Sequence, residues 1–158
     1  MKFRLARPGD GAQVLALYQS VKGDAFCVWD ESYPTGAEIA HDLETQNLYV
    51  LTEDSKIIGA ISVVPENELD GFDCWSCKAG KEIARVVIHK ARQGRGLAFE
   101  MVQRVEAILR QKEQLSIRLS VVKSNLPAYK TYQKAGFSVV GEAKLYGNDY
   151  YLMDKPIV

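Results

Sequence analysis

The sequence predicts an α/β fold of the α+β kind, with six to seven strands and about four helices in a single domain over 1–158. Three observations predict it. Short runs of alternating or continuous apolar residues, at 2–6, 48–52, 57–64, 82–89, 115–121, 138–141 and 149–153, read as strands. Stretches with helical spacing lie between several of them. In mid-chain, the apolar run Ile83-Ala84-Arg85-Val86-Val87-Ile88 leads through Gln93-Gly94-Arg95-Gly96-Leu97-Ala98 into a further helical stretch. The chain there reads strand, tight basic glycine turn, helix.

Each element has its own signal. Pro8-Gly9-Asp10 breaks the first strand, and Asp10 is placed to cap the helix that follows, with Val14, Leu17, Tyr18 and Val21 on one face and Gly23 at its end. Residues 24–34 mix aromatics and acids with no period. Phe26, Val28 and Trp29 read either as core plugs or, with Tyr33, as part of a substrate-facing wall. Thr35 and Glu38 form a capping-box pattern for a second helix carrying Ile39 and Leu43. Residues 53–56 make a hairpin turn, and Pro65 stops the second hairpin strand. The irregular stretch 65–81 is long for a compact domain, and loops of that length often carry function.

Strand 82–89 and the glycine turn follow. The helix after the turn carries the stripe Ala98, Met101, Val102, Val105 and Leu109, read as core. Strand 115–121 alternates strictly. A short helix begins after Asn125, with Pro127 in its first turn and Gly136 as its left-handed stop. Two last strands, 138–141 and 149–153, are expected to be joined through residues 142–148.

Composition excludes several classes. Hydrophobic residues make up 47% and charged residues 25%, and 20 basic residues balance 20 acidic ones. No charge excess points to nucleic acid or to an anionic membrane, so neither is an expected partner. No stretch approaches the ~20 apolar residues of a membrane span, and no signal peptide is expected. A cytoplasmic protein is the default reading. Cys27, Cys74 and Cys77 are an odd number, a poor fit to a disulfide framework. Cys74-Trp75-Ser76-Cys77 is a CxxC, but no second CxxC or paired histidine completes a zinc site, so no metal is expected and the thiols are read as reduced.

The glycine turn leaves backbone N–H groups free at a helix N-terminus, which favours an anion; Arg92 and Arg95 add positive charge. A P-loop would need GxxxxGK followed by Ser or Thr, which is absent. A dinucleotide fingerprint would need GxGxxG early in a βαβ unit, whereas Phe99 occupies the third glycine position and the turn follows a hairpin. Gln93-Gly94-Arg95-Gly96-Leu97-Ala98 instead resembles the Q/R-x-x-G-x-G/A signature of the GNAT N-acetyltransferase superfamily. Residues 125–137, Asn125-Leu126-Pro127-Ala128-Tyr129-Lys130-Thr131-Tyr132-Gln133-Lys134-Ala135-Gly136-Phe137, resemble its second motif at the right spacing, and the order of elements resembles the family's over essentially the whole chain.

The resemblance implies a mixed, mostly antiparallel sheet with splayed central strands, and acetyl-CoA as donor with CoA as product. It implies that Gln93, Gly94, Arg95, Gly96, Leu97 and Ala98 hold the pyrophosphate through their backbone. It further implies that Val86, Val87 and Ile88 pair with the pantetheine and that Asn125 contacts the cofactor arm. Tyr132 matches the family's proton donor to the leaving thiolate. Glu82 resembles in position the base of one branch, while other members use ordered water; a backbone N–H near Val87 is the family-based donor to the thioester oxygen. By alternation Glu82 shares a face with Ala84, Val86 and Ile88, and Arg85 points the other way unless a bulge intervenes.

The expected reaction is transfer of an acetyl group to an amine of a small molecule or peptide. Trp29 and Tyr33 are the candidate acceptor contacts, and their acidic neighbours suggest a cationic acceptor. The rival reading is a CoA-binding module of the same fold without catalysis. The third is a nucleotide-binding protein of another fold. Members of the family often dimerise, so the resemblance admits a homodimer.

Overall fold

The computed structural model describes residues 1–65 and 68–158; Glu66 and Asn67, within the irregular 65–81 stretch, lie outside the described residues. In chain order the described residues form β1 (Lys2–Leu5), α1 (Gly11–Val21), α2 (Gly36–Glu44), β2 (Leu48–Glu53), β3 (Lys56–Val64), β4 (Lys81–Ile88), α3 (Leu97–Gln111), β5 (Ser116–Val122), α4 (Leu126–Lys134), β6 (Ser138–Leu145) and β7 (Asn148–Pro156). The strands make a mixed sheet in the order β1-β2-β3-β4-β5-β7-β6. β4 and β5 run parallel, and their ladder pairs Lys81 with Ile117 and Glu82 with Arg118 and goes no further. The chain divides into two compact units: Met1–Val63 with Arg85–Met101, and Val64–Ala84 with Val102–Val158.

The first unit is built on the face of α1 that the spacing predicts. Val14, Leu17, Tyr18 and Val21 join Ile39, Leu48, Val50, Ile57, Ala60 and Val87 in one buried cluster. Gly59 on β3 permits close approach: a Cβ there would lie 2.9 Å from Ile88 Cδ1, 3.1 Å from Met101 Sδ and 3.3 Å from the Val87 carbonyl oxygen. The β2–β3 turn takes Asp54 and Ser55 into left-handed backbone, φ 50° and 66°, which matches the right-handed twist of a tight hairpin. Thr35 caps α2 by accepting from the Ala37 N–H at 3.2 Å. Glu38 accepts from the Thr35 hydroxyl at 3.1 Å, so the two residues meet side chain to side chain and the reciprocal backbone bonds of the expected capping box do not form.

Asp10 departs from expectation. Its side chain makes no cap on α1. The carboxylate accepts from Arg4 Nη1 at 2.7 Å, Arg4 Nη2 at 3.2 Å and the Arg7 N–H at 2.7 Å. A bidentate guanidinium outcompetes a single backbone amide, so the residue ties β1 to the following turn.

In the second unit, Ile117, Leu119, Leu152 and Met153 on β5 and β7 are buried, as are Val102, Val105 and Leu109 on α3. The last two strands are longer than their alternation suggests. Residues 142–145 continue β6, and the connection shrinks to Tyr146-Gly147, both left-handed at φ 54° and 81°. The described part of the 65–81 stretch is tied down. Arg118, almost fully buried on β5, donates to Asp70 Oδ1 and to the Cys77 carbonyl, each at 2.9 Å, and its guanidinium lies 5.1 Å from the centre of the Trp75 ring. Asp154 accepts from the Ser76 N–H at 2.6 Å and its hydroxyl at 2.9 Å. Trp75 donates to the Leu69 carbonyl at 2.9 Å. The CxxC lies in this tied segment: Cys77 points its sulfur at the Leu115 carbonyl, 3.8 Å away, and a Cβ built on Gly141 would come within 3.0 Å of Cys74 Sγ. Among the described residues no group of three His, Cys, Asp or Glu is placed to hold a metal, and no helix is long and apolar enough to cross a membrane.

The Arg4 hydrogen bond holds the Asp10 carboxyl below the ordinary carboxylate value, with burial acting in the opposite sense. The stabilisation is therefore full above the unfolded pKa of ~3.9 and is lost as pH falls through the lower folded value. Asp10→Asn is expected to lower unfolding free energy by roughly 1–3 kcal/mol at pH 7. The gap between variant and wild type should close in urea titrations carried into the acid range; a gap that stayed constant with pH would refute the assignment.

Candidate active site

The candidate residues fall in both units. Trp29, Tyr33, Val86, Val87, Ile88 and the turn at 93–98 belong to the first; Glu82, Asn125 and Tyr132 belong to the second.

The turn has the form its sequence predicts. Gly94 and Gly96 have φ of 79° and 75°, and a Cβ at either would meet nothing within 4 Å. Both positions therefore need glycine for backbone reasons, and the space above them is open. The Glu100 N–H makes the first helical hydrogen bond, to the Gly96 carbonyl at 3.0 Å. The N–H groups of Leu97 and Ala98 consequently have no acceptor within the helix. This run of uncommitted amides at the start of a 15-residue helix fits a pyrophosphate. The Gln93 side chain donates to the Ile88 carbonyl at 3.1 Å and fixes the turn to the end of β4. Arg92 does not add free positive charge. It is paired with Glu53 through Nε at 2.7 Å and Nη2 at 2.6 Å, which leaves Arg95, exposed, as the cation of the turn.

The strand before the turn is not regular. Arg85 has φ 51°, and among the described residues it is the only non-glycine with left-handed backbone inside a strand. That conformation costs an L-residue about 1–2 kcal/mol. The kink breaks the alternation expected from the sequence, and Val87 and Ile88 are consecutive buried residues. Beyond the kink, the His89 N–H donates to the Ile58 carbonyl of β3 at 2.7 Å. Successive residues of an extended strand turn their backbone groups to opposite edges. Val87 therefore faces β3, and its carbonyl oxygen lies 3.3 Å from where a Gly59 Cβ would sit. Val86 and Ile88 face the other edge. The Ile88 carbonyl is taken by Gln93, so the groups left at that edge are both backbone groups of Val86 and the Ile88 N–H.

Arg85 also reaches the loop read as an acceptor wall. Its Nη2 donates to Asp42 Oδ2 at 2.8 Å and its Nη1 to the Tyr33 hydroxyl at 2.9 Å. Asp42, 2% exposed as a side chain, also accepts from the Ser62 hydroxyl at 2.6 Å. Arg85 Nε is buried without a partner. Trp29 packs edge-on against Tyr18, ring centres 5.5 Å apart, and is the loop's core plug, with Cys27 beside the same cluster. Phe26 and Val28, read either as core plugs or as part of a wall, are 47% and 39% exposed and do not plug the core.

In the second unit Asn125 is the N-cap of α4, accepting from the Ala128 N–H at 3.2 Å; this leaves its amide N–H groups uncommitted. Tyr132 is buried, edge-on to Phe137 at 6.0 Å between centres. Among the described residues its hydroxyl has no hydrogen-bond partner, yet it is not among the sealed, unsatisfied polar atoms. Burial pushes its pKa up to about 12. Glu82 is half-buried on β4, in register with Arg118.

Comparison with known proteins follows the same lines. The family model described as "Acetyltransferase (GNAT) family" matches residues 14–137. Among solved structures, a GNAT-family acetyltransferase from Streptococcus agalactiae superposes with a TM-score of 0.82 at 20% identity, covering 98% of this chain and 94% of that one. A ribosomal-protein-alanine N-acetyltransferase from Brucella melitensis gives 0.80 at 18% identity, with 99% of both chains covered. The yncA protein of Salmonella typhimurium, solved with its cofactor acetyl-CoA, gives 0.80 at 19% identity over 100% of this chain and 94% of that one. No curated protein matches.

Gly96→Val would add a branched side chain at φ 75° in the mouth of the turn. It is expected to weaken acetyl-CoA binding at least about tenfold by calorimetry while destabilising the fold by only about 1–2 kcal/mol. Unchanged affinity would remove the turn from the site.

Proposed function

Because this chain belongs to the GNAT acetyltransferase family, whose donor is acetyl-CoA, we propose that it acts as one acetyltransferase domain that acetylates an amine of a small molecule or peptide. The observation that carries the proposal is the run of uncommitted amides from Gly94 to Ala98 beside two left-handed glycines. Acetyl-CoA, held by that turn and by the outer edge of β4, would supply a thioester for direct attack by the neutral amine. Three unpaired cysteines accord with a cytoplasmic setting.

The chain's own groups divide the work. Edge parity favours Val86 or Ile88, rather than Val87, as the backbone donor to the thioester oxygen. Tyr132 keeps its proton across the physiological range and holds it at Oη, without a competing partner. A phenol near 12 and a thiol of ~8.5 differ by about 3.5 units, so complete transfer even to the released thiolate would be uphill by roughly 5 kcal/mol. Tyr132 therefore acts by a hydrogen bond that strengthens as negative charge builds on sulfur. An alkyl amine of pKa ~10.4 is mostly protonated near neutrality, so a base raises the reactive fraction. Glu82, or water ordered by it, is the proposed base. Val86, Ile88, Asn125 and the 93–98 backbone are the proposed donor contacts, whereas the Val87 backbone, expected to pair with the pantetheine, is turned to β3; Trp29 and Tyr33 are the proposed acceptor contacts.

Tyr132→Phe keeps the buried ring and removes only the hydroxyl. With a reactive amine it is expected to lower kcat by about a hundredfold and to leave the KM for acetyl-CoA within roughly threefold. A thiol-release assay from pH 6 to 10 reads both, and wild type should show no alkaline fall from the phenol in that range. An unchanged kcat would exclude Tyr132 as donor. Absence of thermal stabilisation by acetyl-CoA would reject the functional reading itself.

A further inference from the structure

Arg85 takes no part in the reaction as proposed, yet it is the most constrained residue near it. Its backbone is left-handed in mid-strand, and its side chain is 11% exposed. Its two terminal nitrogens are committed to different segments, α2 through Asp42 and the 24–34 loop through Tyr33. Ser62 on β3 closes the set from a third side through the other bond to Asp42 Oδ2. A guanidinium held at both ends of its fork is anchored in place and orientation, which limits the side-chain and backbone conformations open to residue 85.

The position of the kink gives this consequence. An irregularity of one residue shifts every later backbone group to the opposite edge of the strand. Val86 follows Arg85 directly. The His89–Ile58 bond turns Val86 and Ile88 away from β3, and the kink at Arg85 joins that arrangement to the preceding part of β4; with residue 85 extended, the shift would have to be absorbed between Val86 and the turn. We propose that Arg85 is a positioning residue, whose clamp to Asp42 and Tyr33 holds the kink of β4 and so sets which backbone N–H groups face the acetyl donor. The inference rests on the acetyl-transfer reading. It adds a link from the acceptor side to the donor side, because the Tyr33 hydroxyl sits on the same guanidinium that sets the strand.

Glycine separates backbone from side chain, since it adopts positive φ without strain whereas alanine does not. Arg85→Ala is expected to lose about a hundredfold in kcat, the scale of a small misplacement of reacting groups. Arg85→Gly is expected to keep about tenfold more than Arg85→Ala, the strain difference expressed as a rate. Both should hold acetyl-CoA with an affinity within roughly threefold of each other. Asp42→Asn added to each removes the carboxylate left unpaired, so the comparison is repeated without it.

Amide hydrogen exchange at Val86, Val87 and Ile88 gives a readout independent of turnover and should be faster in Arg85→Ala than in Arg85→Gly. If Arg85→Gly is no more active than Arg85→Ala, or the two exchange alike, the clamp is overturned. Should Arg85→Ala not fold, Tyr33→Phe deletes a single acceptor oxygen and is expected to cost about fivefold in kcat with faster exchange at the same amides; no change in either also overturns it. A wild type that neither binds acetyl-CoA nor transfers acetyl would instead sink the functional reading, while the exchange comparison still reports on the clamp.

Discussion

A carboxylate that is 2% exposed, on α2, faces a guanidinium on the central strand at 2.8 Å, and the irregular course of that strand centres on the same arginine. Removing two charges from water costs several kcal/mol per ion, so such a pair is a poor choice if stability alone is wanted. Its yield here is conformational. Arg85 occupies a backbone region that costs an L-residue about 1–2 kcal/mol, and a free strand would relax to extended backbone. In the left-handed conformation the Arg85 fork meets Asp42 and the Tyr33 hydroxyl, and Ser62 holds the same Asp42 oxygen. Tyr18, whose hydroxyl is buried without a partner, lies in the same neighbourhood and has its pKa pushed up to about 12, chiefly by burial; it stays neutral and adds no competing charge.

The second unit uses the same device for a different end. Arg118, 5% exposed, joins a carboxylate, a backbone carbonyl and the face of Trp75, and so organises the described part of a loop that has only one short 3₁₀ turn. In both units an arginine is chosen where several acceptors must be met in fixed directions, a task for which lysine's single ammonium would not serve. Glu82, beside Arg118 in register, thus stands next to a cation that is already engaged.

Features whose cause is local were legible in the sequence. The glycine turn, the Thr35 cap, the 54–55 turn, Pro127 in the first turn of α4 and the Gly136 stop all depend on a few adjacent residues, and all stand where the spacing puts them. The stripe on α3 was legible for the same reason. What was missed depends on partners far away in the chain. Asp10 carries the usual capping signal, but Arg4 captures it. Asp42 looks like any acid on an amphipathic helix; its partner is 43 positions away. Arg85 looks like the polar member of an alternating strand, and only the kink shows that the alternation fails. Arg92 reads as a phosphate-binding cation until Glu53 neutralises it. Of the two aromatic residues proposed for the acceptor, Trp29 turns inward on Tyr18, and Tyr33, 40% exposed, stays at the surface with its hydroxyl bound.

The same commitments change how the acidic loop should be read. Counted along the sequence, Asp24, Asp30 and Glu31 suggest a surface that attracts cations. In the fold, Asp24 is paired with Lys90, and Asp30 accepts from the N–H and hydroxyl of Ser32, which hold its carboxyl below the ordinary value. Asp42 is answered by Arg85. A free carboxylate beside the acceptor would favour the ammonium form and so oppose the attack that needs the neutral amine. Of the three loop acids two are already bonded and Glu31 is exposed, so most of the carboxylate charge that the sequence suggests is answered within the fold. In the proposed reading the loop would place an acceptor more than attract a cation, and the Tyr33–Arg85 hydrogen bond would connect that placement with β4.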